Sequence, residues 1–231
     1  EKRIMSGEKD EAAGAGEGIY WKYESTLKKW DSELYSVVGA AGELFSIRTS
    51  LFEEVPKDTL IEDFYLTMRI AMKGYRVIYE PDAYAMEVPS DSIKEELKRK
   101  IRISAGGIQS VIRLKALLNF LKFGTLSFQY ISHRALRWVL CPFLLPIIFI
   151  LNIFLASDSL FYTGILTMQI LFYLLAIVGL ILEKKQIRLK VLYIPYYFFF
   201  MNYSVYLGII RLLKGRQSVI WEKAKRAGQK S

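Results

Sequence analysis

The spacing of apolar residues changes character several times along the chain. Residues 1–18 mix charges with Gly7, Gly14, Gly16 and Gly18 and show no apolar period, which predicts a flexible loop. From Ile19, the positions Ile19, Tyr23, Leu27, Trp30 and Leu34 recur at helical spacing. Tyr35–Val38 and Leu44–Ile47 read as short strands on either side of Gly39-Ala40-Ala41-Gly42, where glycine permits a tight turn and close backbone approach to a ligand. Ile61, Phe64, Tyr65, Met68, Ala71 and Met72 predict a second helix that stops at Gly74 and carries Glu62 and Asp63 in its first turn. Tyr75–Tyr79 alternates like a strand, ends at Pro81 and leads into an extended piece over Ala83–Val88. Ser92-Ile93-Lys94-Glu95 has the form of a capping box, so a third helix is expected through Ser104, with Gly106-Gly107 breaking it.

Beyond this point the pattern belongs to a different solvent. Residues 108–123 are apolar with Arg113, Lys115 and Lys122 inserted, as in a helix lying in a bilayer interface. Trp138–Ser157 has the length of a helix that spans the hydrocarbon core, with Trp138 as its interfacial anchor. Leu160–Leu182 is as apolar and holds no ionisable group, and Ser157-Asp158-Ser159 joins the two into a hairpin. Lys184, Lys185, Arg188 and Lys190 then mark a cytoplasmic turn under the positive-inside rule. The stretch 191–213 carries Pro195, Asn202 and several tyrosines, and reads either as a third crossing or as a re-entrant, interfacial segment.

Charge sharpens this division. Residues 1–134 hold 20 Lys/Arg and 20 Asp/Glu, whereas residues 135–231 hold 12 and 3, so the net charge of +9 sits in the apolar part. The basic groups flank apolar segments and do not form a stripe with interleaved stacking aromatics, which argues against nucleic acid as a partner and for membrane lipids. The single cysteine, Cys141, cannot form an internal disulfide. The charged start, Glu1-Lys2-Arg3-Ile4-Met5, is not a signal peptide and suggests the later part of a longer protein.

Two small groups of residues could carry chemistry. A carboxylate such as Asp63 can accept the proton of an attacking hydroxyl, although acids in a first helical turn also simply complement the helix dipole. Arg99 and Arg102, three apart, would share a helix face and could hold a diphosphate by charge-assisted hydrogen bonds. A solvated basic face with Glu95–Arg99 and Glu96–Lys100 pairs is the alternative. His133, the only histidine, is expected at the membrane surface without a catalytic role. Trp21 and Trp30 read as helix packing or acceptor stacking.

The ordered set Gly39 to Arg48, Ile61-Glu62-Asp63, Tyr79-Glu80-Pro81-Asp82-Ala83, Arg99-Lys100-Ile101-Arg102-Ile103, Ser132-His133-Arg134-Ala135-Leu136-Arg137-Trp138 and Trp221-Glu222-Lys223 resembles the second half of a membrane-embedded family 2 glycosyltransferase, a group that includes cellulose and hyaluronan synthases as distant members. The resemblance implies an inverting transfer from a nucleotide-sugar to a glycan or lipid-linked acceptor, in cell-surface polysaccharide or glycolipid synthesis at the inner membrane, with the catalytic part cytoplasmic. It also implies that Asp63, with Glu62, occupies the place of the base; that Arg99 and Arg102 lie near donor and acceptor; that Gly42 and Glu43 belong to the acceptor-side turn; and that Trp221 and Lys223 stand near the mouth of the site. Ile61, Arg99 and Ile103 replace the threonine, glutamine and tryptophan of the family pattern, which puts processive synthesis in doubt beside transfer of one or a few sugars.

The implied organisation is α/β, a partial GT-A domain over residues 1–105, followed by an all-α membrane region. That region comprises interfacial amphipathic helices at 106–134, a membrane segment at 135–213 with spans near 138–157 and 160–182, and a basic tail at 214–231. A divalent cation, Mg or Mn, is expected in the full-length enzyme, with ligands outside this chain because no Asp-x-Asp occurs in it. The missing N-terminal half of the domain is then a required partner, and this chain alone is expected to be inactive. The competing expectation is a non-enzymatic membrane scaffold or transporter subunit; the two clear spans carry no ionisable residue of the kind a transporter uses.

Overall fold

The structure is a computed structural model that describes residues 2–4, 11–87, 93–184 and 190–215. It is mainly helical. Strand β1 (Lys2–Ile4) pairs in parallel with β2 (Ala85–Glu87), Arg3 facing Met86. Helices α1 (Glu11–Leu34), α2 (Glu62–Met72) and α3 (Ile93–Arg113) make up the polar part. After a 3₁₀ turn at Lys115–Leu118 come α4 (Phe120–Phe123), α5 (Thr125–Tyr130), a π-helical stretch (Ile131–Leu140), α6 (Cys141–Leu155), α7 (Leu160–Lys184) and α8 (Lys190–Leu213).

Several expectations are corrected by this arrangement. The predicted loop over 1–18 contains β1 and the first turns of α1. Tyr35–Val38 and Tyr75–Tyr79 are extended and meet through the Val37 N–H to Val77 C=O bond (2.8 Å), with Ser36 Oγ and Ser32 Oγ accepting from Val77 and Tyr79 N–H. They form no regular ladder, and neither does Leu44–Ile47. A strand is defined by its partner, so alternation alone could not tell a ladder from an extended crossing. Of the predicted Ala83–Val88 strand, Ala85–Glu87 is present; Val88, and with it Ser92 of the capping box, lies outside the described residues.

Helix α3 does not break at Gly106-Gly107. A Cβ on Gly106 would stand 2.9 Å from Ile61 Cγ2, and one on Gly107 only 2.5 Å from Trp138 Cδ2. The two glycines let α3 pass directly against the start of α2 and against the indole of Trp138 while keeping helical geometry. Their cost in helix propensity, about 1 kcal/mol each, is offset by that approach.

Trp138 is therefore a core residue and not an interfacial anchor. It is 8% exposed, and its ring meets Phe64 edge-on with centroids 5.1 Å apart. Val38, Phe64, Met68, Leu114, Leu117, Leu126, Tyr130 and Trp138 form one buried cluster. The first half of the long helix Thr125–Leu155 is thus gripped by the polar part, and its exposed apolar surface continues from Val139 through Phe154.

Thr125–Leu155 and Leu160–Glu183 are long and apolar enough to cross a membrane. Between them, Asn152 Nδ2 donates to Gln169 Oε1 (2.8 Å), a polar link between helices with otherwise apolar faces. Pro146 cannot donate to the carbonyl of Pro142 four residues earlier. The Tyr206 hydroxyl of α8 donates to that carbonyl instead.

Helix α8 runs unbroken through Pro195, packing against both α7 and α3. Cβ atoms added at Gly179 and Gly208 would stand 2.8 Å from Leu192 O and 2.9 Å from Ala105 N respectively, and Ser104 and Ser204 hydroxyls lie 3.2 Å apart. Tyr196, Tyr197 and Phe200 form a second cluster with Tyr20 of α1 and Leu97 of α3. One side of α8 is accordingly covered by the charged helices and not by lipid.

Candidate active site

Helix α2 begins where the chain emerges from Pro56, with Ile61 as its N-cap and Glu62 and Asp63 in its first turn. No side chain caps it, so the two acids meet free helix N–H groups and the positive end of the dipole. Glu62 is exposed, whereas Asp63 is partly buried. Two hydrogen bonds fasten the preceding loop to this turn: Thr67 Oγ1 donates to Asp63 C=O (2.7 Å) and accepts from Ala40 N–H (3.1 Å).

That loop reaches α2 through its glycines. Gly39 has φ +86°, and a Cβ there would stand 2.2 Å from Phe64 Cδ2, so only glycine fits. A Cβ on Gly42 would stand 3.1 Å from Asp63 Oδ2, placing the loop backbone against the carboxylate. Glu43 follows on the exposed side. Burial pushes the Asp63 carboxyl above its ordinary value and the Glu43 charge adds to this, while the Phe64 N–H and the Lys28 charge oppose it.

Lys28 is the residue that sequence reasoning missed. It lies on α1, is 8% exposed, and helps line a cleft of about 620 Å³ together with Trp21, Ser25, Ala40, Thr67 and Tyr79. Burial lowers its proton affinity, as does Arg134; Glu24, Glu43 and Asp63 raise it. A signal was present in the sequence: Glu24, Lys28 and Asp31 fall at i, i+4 and i+7, a polar row on a helix face that is buried here.

The two predicted arginines have different neighbours. Arg102 Nη2 donates to Leu60 C=O at 3.5 Å, at the entry to α2. Burial lowers its proton affinity, Arg211 of α8 adds to this, and Glu62 opposes it. Arg99 instead engages Glu96, with Nε to Oε2 and Nη2 to Oε1 both at 3.0 Å; Lys100 lies 3.5 Å from the same carboxylate and 4.6 Å from the centre of the Tyr20 ring. The structure thus gathers Glu62, Asp63, Gly42, Glu43 and Arg102 around one helix start and ties Arg99 to Glu96. Trp221 and Lys223 lie outside the described residues. Trp30 is exposed on α1, and Trp21 stands edge-on to Tyr20.

The π-helical stretch supplies the neighbouring charges. Its wider winding closes with Cys141 N–H donating to Leu136 C=O, just before Pro142 removes a donor. It presents Arg134 and Arg137 to Glu24, with Arg134 Nη2 at 3.0 Å from Oε2 and Arg137 Nη1 at 2.5 Å from Oε1. Burial alone would raise the Glu24 carboxyl, but the two guanidiniums hold it well below the usual carboxylate range. His133 Nδ1 lies 2.8 Å from Asp31 Oδ1, which pairs it with α1.

Among the described residues no group of three His, Cys, Asp or Glu side chains is placed to hold a metal ion.

No curated protein and no solved structure matches the chain. Residues 25–180 match the family described as glycosyl transferase family group 2, a stretch that runs from α1 through the Asp63 turn and the long membrane-type helix into α7. With most of its length inside that match, the chain belongs to the glycosyl transferase family group 2.

Proposed function

We propose that this chain is the acceptor-side part of a membrane GT-A glycosyltransferase that transfers a sugar, with inversion, from a nucleotide-sugar to a glycan or lipid-linked acceptor in cell-surface polysaccharide or glycolipid synthesis. The observation that carries the reading is the Asp63 carboxylate, set at the first turn of α2 against the backbone of Gly42, with burial raising its affinity for a proton. A carboxyl shifted toward neutral pH is better matched to general-base work than an ordinary aspartate.

In this reading Asp63 accepts the proton of an acceptor hydroxyl as its oxygen forms a bond to the anomeric carbon. The bond from that carbon to the diphosphate oxygen breaks, and the nucleoside diphosphate leaves with the electron pair. Arg102, next to the helix start, stabilises negative charge that develops there. Arg99, held by Glu96, supports the α3 face from which Arg102 projects. A divalent cation at the donor diphosphate would neutralise charge there; this chain's contribution is the base and the acceptor side.

The exposed apolar part of the first long helix, from Val139 on, and Leu160–Glu183 cross the inner membrane as a hairpin, with the Asp63 site on the cytoplasmic side. Helix α8, covered on one side by α1 and α3, lies along the base of this hairpin and does not cross it. The exposed Ile112, Leu118, Phe120 and Leu121, close to Lys115 and Lys122, rest in the lipid interface. The test is Asp63→Asn in the full-length membrane protein, incubated with a panel of nucleotide-sugars. Transfer should vanish while nucleotide-sugar binding persists; wild-type turnover would rule out Asp63 as the base.

A further inference from the structure

Helix α3 turns one face toward the residues that lead into α2. Arg102, Gly106, Gln109 and Arg113 follow one another at steps of three or four, and each of them meets the segment Asp58-Thr59-Leu60-Ile61. A Cβ on Gly106 would stand 3.0 Å from Leu60 Cβ. Gln109 Oε1 accepts from the Leu60 N–H (3.1 Å) while its Nε2 donates to the Asp58 C=O (2.9 Å). One side-chain amide thus serves two backbone groups as a neighbouring strand would. Arg113 adds two more bonds, from Nη1 to Thr59 Oγ1 (2.9 Å) and from Nη2 to Asp58 Oδ2 (2.5 Å). Arg113, whose sequence neighbours suggest a bilayer interface, therefore points back at the polar part.

This segment decides where α2 begins. Thr59 and Leu60 are buried, and the N-cap that follows them, Ile61, makes no side-chain bond to the helix. The first turn is held instead from two sides, by Thr67 tied to the Ala40 loop and by α3. Leu60 links the groups that carry the proposed chemistry: its N–H goes to Gln109, its C=O accepts from Arg102 (3.5 Å), and Asp63 lies three residues on.

We propose that Gln109 and Arg113 are positioning residues for the transfer reaction: by holding Asp58, Thr59 and Leu60 they set where the first turn of α2 starts, and so where the Asp63 carboxylate stands relative to Gly42 and Arg102. The proposal rests on Asp63 being the base and says what keeps it in place. Both side chains act through the segment before the helix, and a base displaced by about 1 Å can lose about a hundredfold in rate.

The test uses the full-length membrane protein in detergent, with the nucleotide-sugar that supports wild-type transfer. Donor-binding sites are counted by titration, so that only folded protein enters the rate. Gln109→Leu and Arg113→Met should each lower kcat per donor site by about tenfold to a hundredfold, with the donor KM unchanged. The acid limb of the kcat profile, which Asp63 sets in this reading, should move to lower pH in both, because a loosened first turn lets water reach a carboxyl that burial now raises. A merely weakened fold would leave that limb in place. Arg113→Lys, which can keep the Asp58 contact but not Thr59 as well, should fall between wild type and Arg113→Met, and it serves if the larger change prevents folding. Wild-type kcat per donor site, or an unmoved acid limb, in the variants that bind donor would overturn the role of Gln109 and Arg113 while Asp63→Asn stays inactive. Full transfer by Asp63→Asn would instead overturn the base assignment.

Discussion

Gly107 and Trp138 are in such close contact that the missing side chain of one is the space occupied by the other: a Cβ on Gly107 would lie 2.5, 2.7 and 2.8 Å from three indole carbons of Trp138. The same indole meets Phe64, the residue after Asp63. A single aromatic ring on the membrane-type helix therefore sets the distance between α3 and the turn of α2 that carries the candidate base.

Gly107→Ala should destabilise the protein by about 1–3 kcal/mol, the usual cost of overpacking a core that cannot shift, even though alanine favours the helix. Chemical denaturation followed by tryptophan fluorescence reads this. Trp138→Leu in the same chain should recover part of the loss, because the clash is with the ring; a loss unchanged by that second substitution would mean that backbone, not the indole, limits the approach.

Glu24→Gln removes the charge that two buried arginines share and should cost about 3–5 kcal/mol, the range for breaking a buried ion pair. The sign with pH follows from the Glu24 carboxyl being held below its unfolded value of 4.5. Its stabilisation is present above that value and is lost as pH falls toward the depressed folded one. The difference in stability between wild type and Glu24→Gln should therefore be largest near neutral pH and shrink in acid. A gap that widens in acid would contradict the pairing.

Asp63→Asn is expected to raise the melting temperature at neutral pH while abolishing transfer, a trade of stability for function. The folded carboxyl lies above its ordinary value of 3.8, so its favourable contribution exists below that value and disappears as pH rises through the raised folded one. Asparagine carries no such penalty. The melting-temperature gap should close as wild type is acidified; a variant less stable than wild type at pH 7 would show that the ionised carboxylate is well satisfied.

Gln129→Leu tests the junction of α1 with the membrane-type helix. Gln129 is fully buried, its Oε1 accepting from Ser36 N–H (3.3 Å) and its Nε2 donating to Asp31 C=O (2.9 Å). Leucine would leave the buried Ser36 N–H without its partner, at about 1–3 kcal/mol for one unsatisfied group, while the Asp31 carbonyl keeps the Tyr35 N–H (2.9 Å). Hydrogen exchange at Ser36 should accelerate alongside the loss; unchanged protection would mean that another group takes over the N–H.

Much of this was legible in the residues alone. The apolar period of α2 and its stop at Gly74, the first-turn acids, the two long apolar helices with their short link, and the family resemblance all rest on neighbours in sequence. Helical period and apolar length are properties that a segment carries with it. The strands were less legible, because Tyr35–Val38 and Tyr75–Tyr79 become a ladder or an extended crossing according to partners elsewhere in the chain.

The tertiary structure alone decided the rest. Gly106-Gly107 looks like a helix break until Ile61 and Trp138 are found in the space their side chains would fill. Trp138 looks like a membrane anchor until Phe64 and α3 are found on either side of it. The row Glu24, Lys28 and Asp31 has no partner legible in the sequence; the π-helical stretch, about a hundred residues later, covers it and provides partners for two of the three. Sequence period tells which residues share a face; which charges meet on that face depends on segments far apart in the chain, and that is why the first-turn acids of α2 were legible in the sequence and the pairing of Glu24 with Arg134 and Arg137 only in the fold.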